Sequence, residues 1–196
     1  MIQLKLPIRY AKPKDADALA ELVNFAGEGL PLYLWERMAD EGETAWDVGR
    51  RRAKREEGGF SYKNAIVMEH ESEIAACLIG YSLPDQPQPV GYENTPPMFA
   101  PMEELEGLAA GTWYLNVLAS YPEFRGRGYG TQLLSIAETI AADAGKIGLS
   151  IIVSDANTKA RQLYERNGYR PIADRAMVKE DWQNTGNRWV LLTKPL

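Results

Sequence analysis

Gly126, Gly128 and Gly130 alternate with larger residues between a strand-like run and an amphipathic helix, and no other stretch of the 196-residue chain is so suited to binding chemistry. A residue without Cβ lets the backbone bend sharply and approach a ligand. The first N–H groups of a helix have no acceptor within it and can face an anion. Together, Arg125, Gly126, Arg127, Gly128, Tyr129, Gly130 and Thr131 suit a pyrophosphate. Each hydrogen bond to a charged oxygen contributes roughly 1.5 to 3 kcal/mol, so a few main-chain donors could anchor one without a basic cluster. Arg125 and Arg127 could add charge, or could be solvated loop arginines. A glycine turn before a helix also serves purely structural ends. Two rival motifs fit less well. The chain has no string of Gly, four residues, Gly, Lys and Ser or Thr. A dinucleotide fingerprint would need glycine at position 131, where the chain has Thr131, although Asp155 could stand in for its acidic partner. A nucleotide-dependent oxidoreductase therefore stays as a competing reading.

The turn is positioned by its neighbours. Residues 112–119 read as a strand rich in aromatic and aliphatic side chains. The helix after the turn has a buried stripe of Leu133, Leu134, Ala137, Ile140, Ala141 and Ala144, closed by Gly145. Residues 149–153 form another strand, Asn157 caps a short helix, and Gly168 ends it. Upstream, residues 2–10 read as a first strand, and Pro13 opens a helix with Leu19, Leu22, Val23 and Ala26 at helical spacing. Residues 31–55 continue as helix broken near Gly42, with Leu34, Met38, Ala45 and Val48 as core candidates and a solvated basic run at 50–55. Residues 65–68 and 74–81 make an antiparallel hairpin, with His70 at its turn as a solvated side chain. Six prolines between residues 83 and 101 exclude regular helix or central strand, leaving a long loop that is a substrate-side candidate or a surface excursion. Residues 169–178 and 188–193 pair as closing strands. The length suits one domain over residues 1–196.

Composition excludes several classes of function. A net charge of -5 and a pI of about 5.1 argue against a general nucleic-acid binder. Cys77 is the only cysteine and falls in an apolar run, which marks a core thiol. With one cysteine and one histidine, neither a His/Cys zinc site nor a Cys/His dyad has enough members, so no metal is expected. No apolar stretch reaches the ~20 residues that span a bilayer, and the N-terminus lacks signal-peptide features, so the expected location is the cytoplasm.

The residues around the glycine turn resemble the GNAT (GCN5-related N-acetyltransferase) superfamily. Arg125, Gly128 and Gly130 match its cofactor motif of Arg or Gln, two residues, Gly, one residue, Gly or Ala. Leu118, Ala119, Ser120, Tyr121 and Pro122 look like the strand end that precedes it. Asn157, Ala160, Leu163, Tyr164, Gly168 and Tyr169 match the later helix with Leu-Tyr and a Gly-aromatic exit. Ile8, Arg9, Ala11, Pro13, Asp15 and Ala16 resemble the start of such domains. The resemblance covers nearly the whole chain. It implies an α/β (α+β) fold with a central mixed, mostly antiparallel sheet of about seven strands flanked by about four helices. It also implies acetyl-CoA as co-substrate, a small-molecule or peptide amine as acceptor, and a homodimer as a common assembly, while the charge and the lack of a long apolar stretch leave no nucleic-acid or membrane partner expected.

Carried onto this sequence, the resemblance implies a V-shaped opening between the fourth and fifth strands. Main chain at Leu118, Ala119 and Ser120 would pair with the pantetheine amides. Residues 125–131 would hold the pyrophosphate, with Asn157 also at the cofactor. Tyr164 would serve the departing thiolate. With reference pKa values near 10 for tyrosine and about 8.5 for a thiol, proton delivery is uphill by about 2 kcal/mol. Many relatives place a glutamate base on the fourth strand, yet residues 112–119 contain no acid. Glu28, Glu106 and Asn116 acting through water are the remaining candidates, beside no dedicated base. Trp35, Trp46, Trp113 and Tyr81 could line an acceptor pocket or be core. A non-catalytic CoA-binding module is the alternative within the family.

Overall fold

The computed structural model describes residues 2–89, 91, 93 and 95–196. Among the described residues seven strands run in the hydrogen-bonding order β1-β2-β3-β4-β5-β7-β6, and the fold is mixed α/β as expected. The chain forms two compact units, Ile2–Gly80 with Asn116–Leu133, and Tyr81–Leu115 with Leu134–Leu196.

In the first unit, β1 (Ile8–Tyr10) pairs antiparallel with β2 (Ala65–His70), which pairs antiparallel with β3 (Glu73–Ser82). The first strand is shorter than residues 2–10, because Pro7 just before it lacks a ladder donor. Helices α1 (Ala16–Ala26), α2 (Leu30–Glu36) and α3 (Ala45–Ala53) follow the predicted periodicity and break. Thr44 and Asp47 form a capping box that starts α3. Of the four core candidates here, Val48 is buried, Leu34 and Ala45 are half-buried, and Met38 is 48% exposed. Trp35 takes the core position instead. Its ring approaches Gly49 so closely that a Cβ there would lie 2.6 Å from it, and it stacks on Phe60. The core gathers Leu19, Leu22, Val23, Trp35, Val67, Cys77 and Val117. Burial pushes the Cys77 thiol up to about 12, which makes it the inert core thiol predicted.

Arg9 ties this unit's first strand to its neighbours. Its guanidinium donates to Asp15 and to Glu69, each at 2.7 Å. Burial pushes the Asp15 carboxyl up, but the Arg9 hydrogen bond, the Lys12 backbone N–H and the charges of Arg9 and Lys14 outweigh it, and the net direction is down. A lowered folded-state value means the stabilisation is complete above the ordinary carboxylate range and is lost as pH falls through the lowered value. Asp15→Asn is therefore expected to cost about 2 kcal/mol near neutrality, with the gap to wild type closing in acid. Urea midpoints across that range measure it. A gap that stays constant into acid would remove the ion pair as its cause.

In the second unit, α4 (Ala100–Gly107) precedes β4 (Trp113–Ser120), whose first residues belong here. Trp113, Tyr114 and Leu115 pair in parallel with Leu149, Ser150 and Ile151 of β5 (Gly148–Ser154). Then β5 pairs antiparallel with β7 (Arg188–Pro195), and β7 with β6 (Arg170–Ala176). Helix α5 (Tyr129–Asp143) begins in the first unit and ends in this one, and α6 (Thr158–Arg166) follows β5. The buried stripe of α5 is Leu133, Leu134, Ala137 and Ala141, with Ile140 half-buried and Ala144 exposed beyond the helix end. Six α-helices are present among the described residues rather than about four. The break between α2 and α3 accounts for one, and α4 for another. The predicted loop ran through Pro101, but a proline in the first helical turn loses no intrahelical hydrogen bond, so α4 starts at Ala100. Val90, Tyr92 and Asn94 of that loop lie outside the described residues.

Candidate active site

The end of β4 delivers the chain to the glycine turn of the first unit. Leu118 and Ser120 are half-buried and Ala119 is buried. The Tyr121 N–H donates to the Ala75 carbonyl at 3.0 Å, and a short 3-10 turn, Pro122–Phe124, redirects the backbone. Gly126 has φ +76° and Gly128 φ +81°, the left-handed region that costs other residues about 1 to 2 kcal/mol. A Cβ at either would meet open space, so the backbone angle and not crowding requires glycine. Arg125, Gly126, Arg127, Gly128 and Thr131 are exposed, and Tyr129 and Gly130 are half-buried. The first N–H groups of α5 thus emerge beside two guanidinium groups in an open bend. That donor set fits a diphosphate.

The arginines are oriented by this unit itself. Arg125 Nε donates to the Ser120 carbonyl at 3.3 Å. Arg127 lies over the Phe124 ring at 5.6 Å, and its Nη1 is 3.1 Å from His70 Nε2. His70 Nδ1 is 2.7 Å from the Tyr129 hydroxyl. His70 is not in a turn, as the sequence suggested. It is the last residue of β2, opposite Glu73, and the turn is only Glu71 and Ser72, both at positive φ. The other acceptor-side candidates of this unit are Glu28, at φ 52° in the α1–α2 link, and Asn116, exposed in mid-strand.

The second unit holds the other titratable candidates. Tyr164, on α6, is 4% exposed and packs against Tyr169 at 5.8 Å between ring centroids. Burial pushes its phenol well above the ordinary range. The Tyr169 hydroxyl, on a side chain 1% exposed, has no hydrogen-bond partner among the described residues. Tyr114 packs edge-on against Tyr81 at 5.6 Å. Its phenol is pushed up by burial first, then by the charges of Glu106, Tyr81 and Tyr164, which places those four groups in one electrostatic neighbourhood. Burial, and then the charge of Glu103, push the Glu106 carboxyl up to about 7. Glu103 itself accepts from the Thr95 hydroxyl at 2.9 Å.

Glu103 and Glu106 wall a cavity of about 310 Å³ whose other side is Leu83, Pro84, Pro87 and Pro89. The proline-rich segment, a substrate-side candidate in the sequence, therefore borders a cavity with acidic residues. Lys146 fixes its start by donating to the Leu83 carbonyl and to Asp85. Trp35 and Trp113 are core, not pocket, residues. Asn157 Oδ1 is engaged as the α6 cap, accepting from the Ala160 N–H at 3.2 Å. Asp155, the acid that could have completed a dinucleotide site, accepts from the Asn187 N–H at 2.8 Å and serves a loop. Leu118, Ala119, Ser120 and residues 125–131 thus lie together in one unit, and Asn157 and Tyr164 in the other. The sequence reading missed His70 as a partner of the turn. It carried Glu106 only as one of several acids.

No helix among the described residues is long and apolar enough to cross a membrane. No group of three or more His, Cys, Asp or Glu among them could hold a metal ion. The uncharacterized N-acetyltransferase YhfO of Bacillus subtilis (strain 168) is 29% identical over 162 residues, 83% of this chain and 88% of that protein. A solved acetyltransferase structure superposes with a TM-score of 0.64 at 22% identity, covering 96% of this chain and 98% of that one. A Bacillus subtilis acetyltransferase in complex with CoA does so with a TM-score of 0.57 at 16% identity, covering 98% and 99%. Both share the fold. The model of the acetyltransferase (GNAT) family matches residues 31–169, a span that takes in the glycine turn, Glu106 and Tyr164, and the chain belongs to that family.

Proposed function

We propose that the chain is an acetyl-CoA-dependent N-acetyltransferase that acylates a primary amine by direct attack, with residues 1–196 acting as one catalytic domain. The observation that carries this is the open, left-handed bend at Gly126 and Gly128 feeding the N-terminus of α5, at the position of the family's cofactor motif. Membership of the family, the activity in the name of YhfO and the CoA complex of the Bacillus subtilis neighbour support it. Main-chain donors of residues 125–131, helped by Arg125 and Arg127, would hold the diphosphate. Main chain at Leu118, Ala119 and Ser120 would pair with the pantetheine amides, and Asn157 would position its helix at the cofactor. Bound acetyl-CoA supplies a thioester carbonyl for attack and a thiolate as leaving group.

The residues of the second unit divide the proton work. Glu106 takes the proton of the acceptor ammonium. A carboxyl near 7 is closer to an amine near 10.4 than an ordinary one near 4.3, and each pH unit of that gap is about 1.4 kcal/mol. Tyr164 acts as a hydrogen-bond donor to the departing sulfur. Burial raises its phenol further above a thiol than the reference values imply, so the group stays neutral throughout. The acidic cavity between α4 and the proline-rich segment takes the acceptor, which favours a cationic amine.

The deciding experiment follows free-thiol release from acetyl-CoA across a panel of small amines, polyamines, amino acids and N-terminal peptides, beside calorimetric titration with CoA. Binding with amine-dependent thiol release is expected. Absence of affinity for CoA would overturn the proposal, and affinity without turnover on any amine would leave the non-catalytic CoA-binding reading.

A further inference from the structure

We infer that His70, the single histidine of the chain, is a positioning residue for the diphosphate-binding turn, acting as a neutral imidazole that fixes Arg127 and Tyr129 together. This rests on the reading of the turn as the CoA diphosphate site.

The bonding pattern dictates the ring's state. A guanidinium only donates, so the 3.1 Å contact from Arg127 Nη1 requires an unprotonated His70 Nε2. A neutral imidazole then carries its proton on Nδ1, which donates to the Tyr129 oxygen at 2.7 Å. The opposite tautomer would set an N–H against the arginine, and imidazolium would set one positive charge against another. The ring also packs edge-on to Phe124 at 5.3 Å, and Phe124 in turn carries the Arg127 guanidinium on its face. His70 thus meets both neighbours of Gly128, Arg127 before it and Tyr129 at the first position of α5.

The physical need follows from the turn itself. Two left-handed glycines with open space around them give a bend with many accessible conformations, and a binding loop that is ordered only by its ligand loses affinity to that ordering. An anchor in the neighbouring hairpin reduces the loss. His70 can serve because it ends β2 in register with Glu73, so its backbone is held by the ladder. The ring itself meets Arg127 and Tyr129, and the acids nearest along the backbone are Glu73 opposite it in the ladder, Glu71 in the two-residue turn and Glu123 next to Phe124.

Two measurements test the inference separately from the function. In the free protein, nitrogen-edited NMR of the sole imidazole is expected to show the Nδ1–H tautomer. The Nε2–H tautomer, or a ring averaging freely between the two, would overturn the clamp whether or not CoA binds. In calorimetric titrations with CoA, His70→Phe keeps the ring packing on Phe124 and removes both polar contacts. It is expected to bind CoA roughly tenfold more weakly, with an unchanged melting temperature. His70→Phe combined with Arg127→Ala should lose no more than Arg127→Ala and the Tyr129 contact account for, because the residues act as one network. Equal CoA affinity in the two proteins would refute a positioning role. Wild-type protein that fails to bind CoA at all would instead sink the reading of the turn.

Discussion

Glu106→Gln is expected to lower kcat/KM for a cationic amine by about a hundredfold while leaving CoA affinity unchanged and raising thermal stability near pH 8. The three results have one cause. Burial and the charge of Glu103 push the Glu106 carboxyl up to about 7, so the folded protein resists its ionisation. A raised folded-state value means that the ionised side chain penalises folding at pH values above the ordinary carboxylate range, fully so once pH passes about 7. Glutamine is uncharged and removes the penalty, a gain on the order of 3 kcal/mol by the same linkage. Catalysis runs the other way. The ionised carboxylate is the form that takes a proton, so the wild-type rate should climb as pH rises through about 7, and the variant should lose that limb. A residue with only a structural role would show falling stability and falling activity together. Opposite signs mark a functional one, and an undiminished rate in Glu106→Gln across the amine panel would remove the carboxyl from the reaction.

Much of this was legible before any coordinates, for reasons of range. The glycine turn, the stripe of Leu133, Leu134, Ala137 and Ala141, and the Asn157 cap are written within a few residues of one another. Local periodicity and capping chemistry determine such features, and the structure has them in place. Most strands followed for the same reason, as short apolar runs between turn residues, whereas β6 carries two arginines and an aspartate and is largely exposed. What escaped is non-local. The contact of His70 with Arg127 spans 57 positions, and that with Tyr129 spans 59. No periodicity links them. The same residue was misplaced because the polar run after Met68 reads as five turn residues, whereas the ladder continues through Glu69 and His70 with a register shift after Met68. Glu106 was hidden differently. It stands on α4, a helix hidden in the sequence by the prolines before it, and its raised carboxyl comes first from tertiary burial, which no local pattern announces. Exposure also departed from pattern at Met38 and Ala144, where helical spacing pointed inward but the helices end too soon to cover them.

Tyr164→Phe should separate binding from chemistry within the same unit. Only a hydroxyl is removed from a side chain that is 4% exposed, so the packing against Tyr169 and the melting temperature should change little. CoA affinity should be unchanged, since the diphosphate and pantetheine contacts proposed above involve main chain and the arginines. The rate of acyl transfer in a single turnover is expected to fall roughly 10- to 100-fold, the scale of one hydrogen bond to a developing negative charge. The pH profile says which role the hydroxyl plays. A true proton donor of ordinary tyrosine acidity would impose a loss of rate as pH approaches 10. Desolvation holds this phenol well above that, so wild type should show no such limb from Tyr164 and the variant should be slower by a constant factor at every pH. That constancy distinguishes a neutral donor, which stabilises the sulfur without giving up its proton, from a general acid. An unchanged single-turnover rate would dismiss Tyr164 from the mechanism and leave the orphaned hydroxyl of its neighbour, Tyr169, as the next group to substitute.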